Sequence, residues 1–493
     1  MPKSKKSQHK EKPRPSSLGA HKSKQASQKP GAHKHAAPQK HAAPQKHAAP
    51  QKHTPPKTPA PQKQAPTYKE KPRHSSPAAT APQLPVTQDG LNRLRSGHPW
   101  LYDDHLKPGV FKSEEPCVVP LGEHWFLYSP QSKLRLRRLG PSTRHWPNPA
   151  LPREAISSVE DFARVFKEPM RDLFQRSLNS RLRLRHEGDE CFRWIYAEND
   201  FVPGLLVEAY GPVLIAQIQS APVEKYWSIF KELLVEVYAE GTGIPAGDIR
   251  LVEQRHLPVR KLEGLEVIDE ARSEERHTLQ WNGFKWDLCP GGSQKTGSYL
   301  DQAYNHQRTA ELAVKMGLKT AWDICSFEGG FSLHLLKAGL SVLAVDQSER
   351  ALTAVKGNVA LNDLPAGKLS THKEDVFEFL KSEHTKKSQV DLIVLDPPSF
   401  VKNPKDKDRA LRAFRDLNLR ALHCLKPGGL LVSCSCSHHV TPDDYRKMLK
   451  GAAHDARRSV RLLEVNGPAP DHAPLLGFVE SEYLQAWYLE VIV

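Results

Sequence analysis

The chain has few cysteines and no long hydrophobic run. Its seven cysteines among 493 residues are odd in number and widely spaced, which argues against a disulfide framework and for reduced thiols in a cytosol. No apolar segment follows the basic opening residues. We therefore expect that the chain has no signal peptide and no transmembrane span. We also expect a cytoplasmic location and no membrane partner.

Acidic and large apolar residues are scarce near the N-terminus. Residues 1–82 carry 15 prolines, 18 Lys and Arg and only two acids, a net charge of +16, whereas the remainder has a net charge of −1. A segment of this composition cannot bury enough apolar surface to offset its ordering entropy, so we expect a disordered tail. We also expect it to bind polyanions without sequence preference, although a solubilising linker is an alternative.

The segment that follows the tail is short and rich in strand patterns. Residues 83–150 contain strand-sized apolar runs broken by glycine and proline, as a small β-rich domain would. Within them, residues 133–138 alternate apolar and basic side chains. This alternation predicts a strand with one positive face, which is either merely solvated or in contact with phosphate.

A second unit, residues 151–275, has mixed helical and strand patterns and is predicted to be an α+β domain. It opens with a helical pattern over 159–178. Two strand candidates follow at 192–196 and 213–218, and then a helical pattern over 223–238.

Residues 276–493 alternate strand-like and helical segments, which predicts an α/β domain with a doubly wound, largely parallel sheet. The apolar run at 390–395 reads as a strand buried on both faces. It must end at Asp396, because the two prolines that follow cannot donate to a strand ladder. The final two strands, without a helix between them, suggest a terminal antiparallel pair.

Acidic residues recur at the predicted strand ends of this domain. Asp323 lies on the first strand, Asp346 ends the second, and Asp375 falls where the third should end. The carboxyl ends of parallel strands form the ligand-binding edge of an open α/β sheet, so these side chains and Asp396 are predicted to share one site. Each of them alone could equally be a helix N-cap.

The loop after the first strand indicates the kind of ligand. Gly329 and Gly330 lie where strand turns into helix, and glycine there lets a ligand approach the backbone. The spacing is not a dinucleotide fingerprint, and Glu328 would repel a pyrophosphate. A cation such as S-adenosylmethionine suits the loop better. Asp346, about 20 residues past the glycines, would accept from ribose hydroxyls, and Asp375 could take the adenine amino group.

Two thiols lie on a further strand that runs toward the same edge. Cys434 and Cys436 are two residues apart, so they would share a face while the strand stays extended. A thiolate there could act as a nucleophile close to the transferred methyl group. Inert packing is one alternative. A zinc site with the nearby histidines is another, but its spacing is wrong and we predict no metal.

These motifs together resemble the class I methyltransferases of large-subunit ribosomal RNA that join an N-terminal PUA domain to a Rossmann-like catalytic domain. The resemblance spans roughly residues 85–493, and the tail lies outside it. The segments that carry it are residues 95–100, 200–205, 292–302, 327–332, 396–400 and 434–439.

The resemblance implies a seven-stranded methyltransferase domain at 276–493, a PUA-like RNA-binding domain at 83–150, and S-adenosylmethionine-dependent methylation of cytosine C5 in 23S rRNA. Methylation at C5 implies a thiolate that adds to C6 and so activates C5, with Asp396 stabilising the adduct near N3. The resemblance favours Cys436 over Cys434 as this nucleophile, because the Ser-Cys-Ser phrase aligns there. It also adds residues 295–297 and Asp301 to the cofactor site. The full predicted cofactor set is Asp323, Ser326, Gly329, Gly330, Asp346, Asp375, Asp396, Lys295, Thr296, Gly297 and Asp301.

Two other functions remain open from the sequence. Asp-Pro-Pro motifs also serve amine methylation, so the target could be another rRNA base, such as a guanine nitrogen. A non-catalytic RNA-binding or ribosome-assembly factor could also have kept the fold. The sequence leaves the oligomeric state open, with a homodimer as one candidate.

Overall fold

A computed structural model describes residues 85–111, 113–141, 146–147, 155–269, 273–292, 296–401 and 404–493. The predictions for the N-terminal tail and for Lys295 lie outside the described residues. Helices and strands are numbered below in chain order.

The first part of the described chain is a small antiparallel sheet with one short helix. Its elements are α1 (Gln88–Arg95), β1 (Trp100–Leu101), β2 (Cys117–Leu121), β3 (His124–Tyr128) and β4 (Leu136–Leu139). The strands lie in the order β1-β4-β3-β2 and every neighbouring pair is antiparallel. Helix α1 begins where the Thr87 hydroxyl accepts a hydrogen bond from the Gly90 amide, the usual way in which a threonine caps a helix.

The basic strand β4 does not present the positive outer face that its alternation predicts. Arg137 is buried, and its guanidinium donates to the Glu263 carboxylate at 2.6 Å and lies 3.8 Å from that of Glu198. Arg135 pairs instead with Asp103 at 2.8 Å. The expectation is wrong at Arg137 because its partner lies 126 residues further along the chain, beyond the reach of a local pattern.

The middle of the chain forms a second four-stranded sheet flanked by two long helices. The elements are α2 (Val159–Leu184), β5 (Cys191–Tyr196), β6 (Leu205–Tyr210), β7 (Val213–Ile218), α3 (Ala221–Lys225), α4 (Trp227–Thr242) and β8 (Arg250–Gln254). The order is β5-β6-β7-β8, with β7 and β8 parallel and the other pairs antiparallel.

This middle sheet differs from its prediction in two ways. It has four strands rather than two, because β6 and β8 were not recognised. The predicted helix over 223–238 is divided at Tyr226, whose ring stacks on Phe162 of α2 with 4.1 Å between centroids and whose hydroxyl donates to the Ile156 carbonyl at 2.7 Å. Both contacts come from distant parts of the chain and hold Tyr226 at the break.

The C-terminal part begins with a hairpin and continues as alternating strands and helices. The elements are β9 (His277–Trp281), β10 (Phe284–Leu288), α5 (Ala303–Lys315), β11 (Thr320–Ile324), α6 (Gly330–Lys337), β12 (Ser341–Asp346), α7 (Glu349–Leu361), β13 (Leu369–Lys373), α8 (Val376–Thr385), β14 (Val390–Leu395), α9 (Lys407–Cys424), β15 (Leu425–Ser435), α10 (Pro442–Asp455), β16 (Val460–Asn466) and β17 (Gln485–Val491).

Strands β11 to β17 form one seven-stranded sheet in the order β13-β12-β11-β14-β15-β17-β16. The first five are parallel, and β17 is antiparallel to both of its neighbours. This confirms the predicted doubly wound sheet with a terminal antiparallel pair. The strand order reverses between β11 and β14, and at such a switch point the loops leave a crevice at the carboxyl edge.

The apolar run of β14 is buried on both faces, as its continuous hydrophobicity predicts. Leu392 and Val394 pack into the core on one face of the sheet. Ile393 and Leu395 pack into the core on the other. Successive side chains of the strand therefore point to opposite faces. The strand ends at Leu395, and Asp396 follows it at the carboxyl edge of the sheet.

Strand β15 includes residues 426–429, a Lys-Pro-Gly-Gly sequence of the kind that usually forms a turn. The strand already begins at Leu425, and it contains this Pro-Gly-Gly segment. Val390 of β14 pairs with Leu425, whereas Leu392 pairs with Leu430, so the extra residues bulge out between two pairings. Gly428 at φ +77° makes the bulge possible.

Within the described ranges, every helix is too short or too polar to cross a membrane. All seven cysteines are described, and none is joined to another by a disulfide.

Candidate active site

The four acidic residues predicted at the strand ends come together around one thiol. Cys325 follows the last residue of β11 and takes a left-handed φ of +63°. Burial raises its pKa well above the ordinary value, and the nearby carboxylates of Asp346, Asp396, Asp323 and Asp375 raise it further. Four strands therefore deliver carboxylates to one place at the carboxyl edge.

Asp323 is the most deeply buried of these acids. One carboxylate oxygen accepts from the Ser332 amide at 2.9 Å and from the Ser332 hydroxyl at 2.6 Å. The other oxygen, Oδ1, has no hydrogen-bond partner among the described residues. Burial raises its pKa to about 6, against the effect of the Ser332 donors.

The carboxylates of Asp346 and Asp375 also accept hydrogen bonds from the backbone. Asp346 accepts from the amides of Phe327 at 3.0 Å and Ser348 at 2.8 Å, which fixes the loop after β11 against the end of β12. Asp375 caps helix α8 by accepting from the Phe377 amide at 2.9 Å. The N-cap alternative therefore applies to Asp375. A carboxylate offers about four lone-pair sites, so capping still leaves acceptors for a ligand.

The paired glycines are explained by backbone geometry and packing. Gly329 has φ +95°, which L side chains rarely adopt. A Cβ on Gly330 would lie 2.3 Å from a ring carbon of His306, whose burial lowers its pKa to about 3 and keeps it neutral. The missing side chain of Gly330 thus lets α6 pack closely on a neutral histidine ring, and the approach of a ligand at these glycines stays a prediction.

Several acceptors in this loop region lack donors. Among the described residues, Asp323 Oδ1, Ser326 Oγ and Glu328 Oε2 are buried without a hydrogen-bond partner. Burial raises the pKa of Glu328 to about 7. Unpartnered buried acceptors are costly unless a ligand supplies donors or positive charge. S-adenosylmethionine carries an ammonium, a sulfonium, ribose hydroxyls and an amine, so the residues present fit this cofactor.

Tyr299 lies near both Cys436 and the acids at the carboxyl edge of the sheet, and it was not predicted as a site residue. Its ring meets Phe327 edge to face at 4.9 Å. Burial raises its pKa well above the ordinary value, and the nearby Asp396, Cys436 and Asp301 add to the shift. Only its place at the end of the glycine-rich segment 292–302 could have singled it out, because that segment has no helical or strand periodicity.

The two thiols of the predicted catalytic segment have different surroundings. Cys434 lies inside β15, fully buried opposite Ala486, and burial raises its pKa well above the ordinary value. Cys436 lies beyond the last residue of the strand and is partly exposed. The loop that follows is tied to the Asp-Pro-Pro segment by a 2.6 Å hydrogen bond between the hydroxyls of Ser399 and Ser437.

The residues added by the resemblance divide into two groups. Asp301 faces the site through Tyr299 and accepts from the Tyr483 hydroxyl at 2.8 Å. Thr296 and Gly297 contact Tyr210 of the middle sheet instead. In the part of the chain that the structure describes, no group of three or more His, Cys, Asp and Glu side chains is arranged to hold a metal ion.

The amino-acid sequence is similar to those of known methyltransferases. A family model for S-adenosylmethionine-dependent methyltransferases matches residues 251–480. Ribosomal RNA large subunit methyltransferase I from Alteromonas mediterranea is 30% identical over 418 residues, covering 81% of this chain and 96% of the relative. The protein of that name from Citrobacter koseri is 31% identical over 413 residues, covering 80% and 96%.

Solved structures agree on the fold. A Streptococcus mutans structure described as a SAM-dependent methyltransferase superposes with a TM-score of 0.64 at 17% identity, covering 82% of this chain and 99% of that one. A methyltransferase structure complexed with SAH gives a TM-score of 0.63 with the same coverage.

The strand order and the carboxylate-lined edge define a class I methyltransferase whose cofactor is S-adenosylmethionine. More narrowly, the chain belongs to the family of ribosomal RNA large subunit methyltransferase I.

Proposed function

We propose that this enzyme methylates large-subunit ribosomal RNA at C5 of a cytosine, through a covalent adduct with Cys436. The name of its relatives supports the rRNA substrate. The observation that carries the chemistry is the position of Tyr299, which neighbours both Cys436 and the acids of the cofactor edge. Transfer to a pyrimidine carbon requires a thiol that the substrate base can reach beside the methyl donor, and Cys436 is partly exposed there.

The cofactor supplies a methyl group made electrophilic by its sulfonium. We assign the ribose hydroxyls to Asp346 and the adenine amine to Asp375, because Asp346 ends β12 and Asp375 follows the end of the neighbouring strand β13 by two residues. The unpartnered acceptors of Asp323 and Ser326 would take donors of the amino-acid part. The remaining cofactor residues of this proposal are Gly329, Gly330, Thr296, Gly297, Asp301 and Asp396, with Lys295 outside the described residues.

Cys436 acts as the nucleophile in this proposal. Its thiolate forms a bond to C6 of the cytosine, and the electron pair of the 5,6 double bond makes C5 able to take the methyl group. Asp396, which follows β14, would hydrogen-bond near N3 and stabilise the adduct. A base then removes the proton from C5, the double bond re-forms, and the bond between sulfur and C6 breaks.

Burial favours Cys436 over Cys434. Cys434 lies on β15 and its side chain is fully buried in the core, and the charge of Asp396 adds to the burial that opposes its ionisation. The nucleophile must be a thiolate, and the cytosine must be able to reach it. Cys436 follows the last residue of β15 and is partly exposed, so a cytosine can reach it.

The N-terminal sheet is our candidate for RNA binding, as the PUA-like domain of residues 83–150, ahead of a middle domain at 151–275 and the catalytic domain at 276–493. A groove of about 880 Å³ on this sheet is lined by basic side chains, by two acids and by the Tyr102 ring, on which a base could stack. The basic lining residues that matter here are Arg93, Lys107 and Lys133, and the acids are Asp103 and Asp104. The target cytosine would be flipped out of its stack to reach Cys436.

The test compares two cysteine variants on the same rRNA. Cys436→Ala should abolish methyl transfer and the release of tritium from 5-tritiated cytidine. Cys434→Ala, the matched control, should retain both, with some loss of stability from its buried position. If Cys436→Ala keeps full activity and Cys434→Ala loses it, Cys434 is the nucleophile. If both variants keep full activity, the adduct mechanism is wrong, and methylation of a base nitrogen, such as one of guanine, takes its place.

A further inference from the structure

One tyrosine of the middle sheet contacts three consecutive residues of the loop that leads into the active site. The Tyr210 hydroxyl lies 3.1 Å from the Thr296 hydroxyl and accepts from the Ser298 amide at 3.1 Å. Between them, a Cβ on Gly297 would lie only 2.7 Å from the Tyr210 ring. Gly297 is therefore pressed flat against this ring.

A buried ion pair holds Tyr210 in turn. The Tyr210 hydroxyl donates to the Glu208 carboxylate at 3.1 Å, and the Thr296 hydroxyl donates to the same oxygen. Arg193 of β5 pairs with Glu208 from the neighbouring strand. Although burial alone would raise the pKa of Glu208, the Arg193 charge holds it below its ordinary value, so the carboxylate stays an acceptor.

The loop held in this way carries active-site groups within a few residues. Tyr299 follows Ser298 directly and contacts Phe327 in the loop after β11. Asp301 lies two residues further on, near the Tyr299 hydroxyl. A shift of residues 296–298 would therefore move both side chains.

We propose that Tyr210, fixed by Glu208, is a positioning residue for methyl transfer: the middle sheet sets the place of residues 296–301 at the cofactor edge. Tyr210 reaches the reaction only through that loop. The proposal rests on the proposed function, in which this loop helps to hold S-adenosylmethionine.

The test removes one hydroxyl at two matched positions. Tyr210→Phe deletes the group that contacts the loop, whereas Tyr238→Phe deletes a hydroxyl that is equally buried in the same part of the fold but donates to the Gly211 carbonyl. Both variants should lose similar thermal stability. Calorimetry should show S-adenosylmethionine binding weakened roughly tenfold or more in Tyr210→Phe, because small displacements of positioning groups carry large penalties, and unchanged in Tyr238→Phe.

The outcomes separate this inference from the proposed function. If the wild-type protein takes up no S-adenosylmethionine, the proposed function fails. If the wild type binds and the two tyrosine variants bind equally well, the positioning role is wrong and Tyr210 serves stability alone.

A second comparison keeps the test decisive if Tyr210→Phe does not fold. Glu208→Ala removes the acceptor that the Tyr210 and Thr296 hydroxyls share and should bind the cofactor about as weakly as expected for Tyr210→Phe. Asp200→Ala, the matched control, breaks another buried ion pair in the middle part of the chain, with Arg181, and should bind the cofactor as the wild type does. Equal affinities of these two variants would overturn the inference.

Discussion

At the scale of the residue, Asp323 is the group whose ionisation should control cofactor binding. Burial raises its pKa to about 6, and its unpartnered oxygen gains most from a cationic ligand when the carboxyl is charged. A raised pKa means that the carboxyl is protonated below about pH 6, so the affinity for S-adenosylmethionine should fall as the pH drops from 7 to 5. The ligand's own amine, with an ordinary pKa of about 8, stays charged throughout this range.

Calorimetric titration at several pH values would measure this dependence. Asp323→Asn should bind more weakly at pH 7 and should lose much of the decline below pH 6. Glu328, whose pKa is raised to about 7, titrates nearby, so Glu328→Gln is the matched control and should keep the fall near pH 6. A pH-independent affinity in the wild type would contradict the assignment of Asp323.

At the scale of the element, one carboxylate joins three strands at the end of the sheet opposite the active site. Asp391 of β14 accepts from the Thr320 amide and hydroxyl, each at 2.9 Å, at the start of β11. It also accepts from the Lys426 ammonium at 2.8 Å, on β15. Although burial alone would raise its pKa, these donors hold it at about 2.

Asp391→Ala should therefore lower the melting temperature without changing cofactor affinity. The loss should be about 1–3 kcal/mol, since several donors lose their acceptor. Because the pKa is depressed, the stabilisation is present above the ordinary pKa of about 4 and is lost only as the pH falls toward 2. Asp443→Ala, which removes an exposed ion pair with Lys447, is the control and should lower the melting temperature much less, because solvent screens such a pair. Equal effects of both substitutions on stability would contradict the role of Asp391 in joining the three strands.

Elements with their own periodicity could be predicted from the sequence, and those fixed by distant partners could not. Strand β14 and the acids at the strand ends follow from local patterns, because a parallel sheet gathers its carboxyl ends at one edge. The break at Tyr226 and the burial of Arg137 depend on partners far along the chain. The contact between Tyr210 and Thr296 spans 86 residues and joins the middle sheet to the loop that follows β10, so no motif within either segment could reveal it.

At the scale of the whole molecule, charge and catalysis are divided between different parts of the chain. Residues 1–82 carry a net charge of +16, and the remainder a net charge of −1. Counterion release makes the affinity of a polycation for RNA fall steeply with salt. We expect the tail to supply most of the salt-dependent part of rRNA binding, while the folded part supplies the choice of target.

A variant with the tail's 18 Lys and Arg residues replaced by glutamine tests this division. Its affinity for an rRNA fragment should fall at low salt. The slope of log K against log salt should become shallower by about 0.7–0.9 for every phosphate that the tail no longer neutralises. S-adenosylmethionine affinity should stay unchanged, since no tail residue belongs to the proposed cofactor site. Equal slopes for the two proteins would mean that the tail is a solubilising linker, and the basic groove of the N-terminal sheet would then have to account for the electrostatic attraction to RNA.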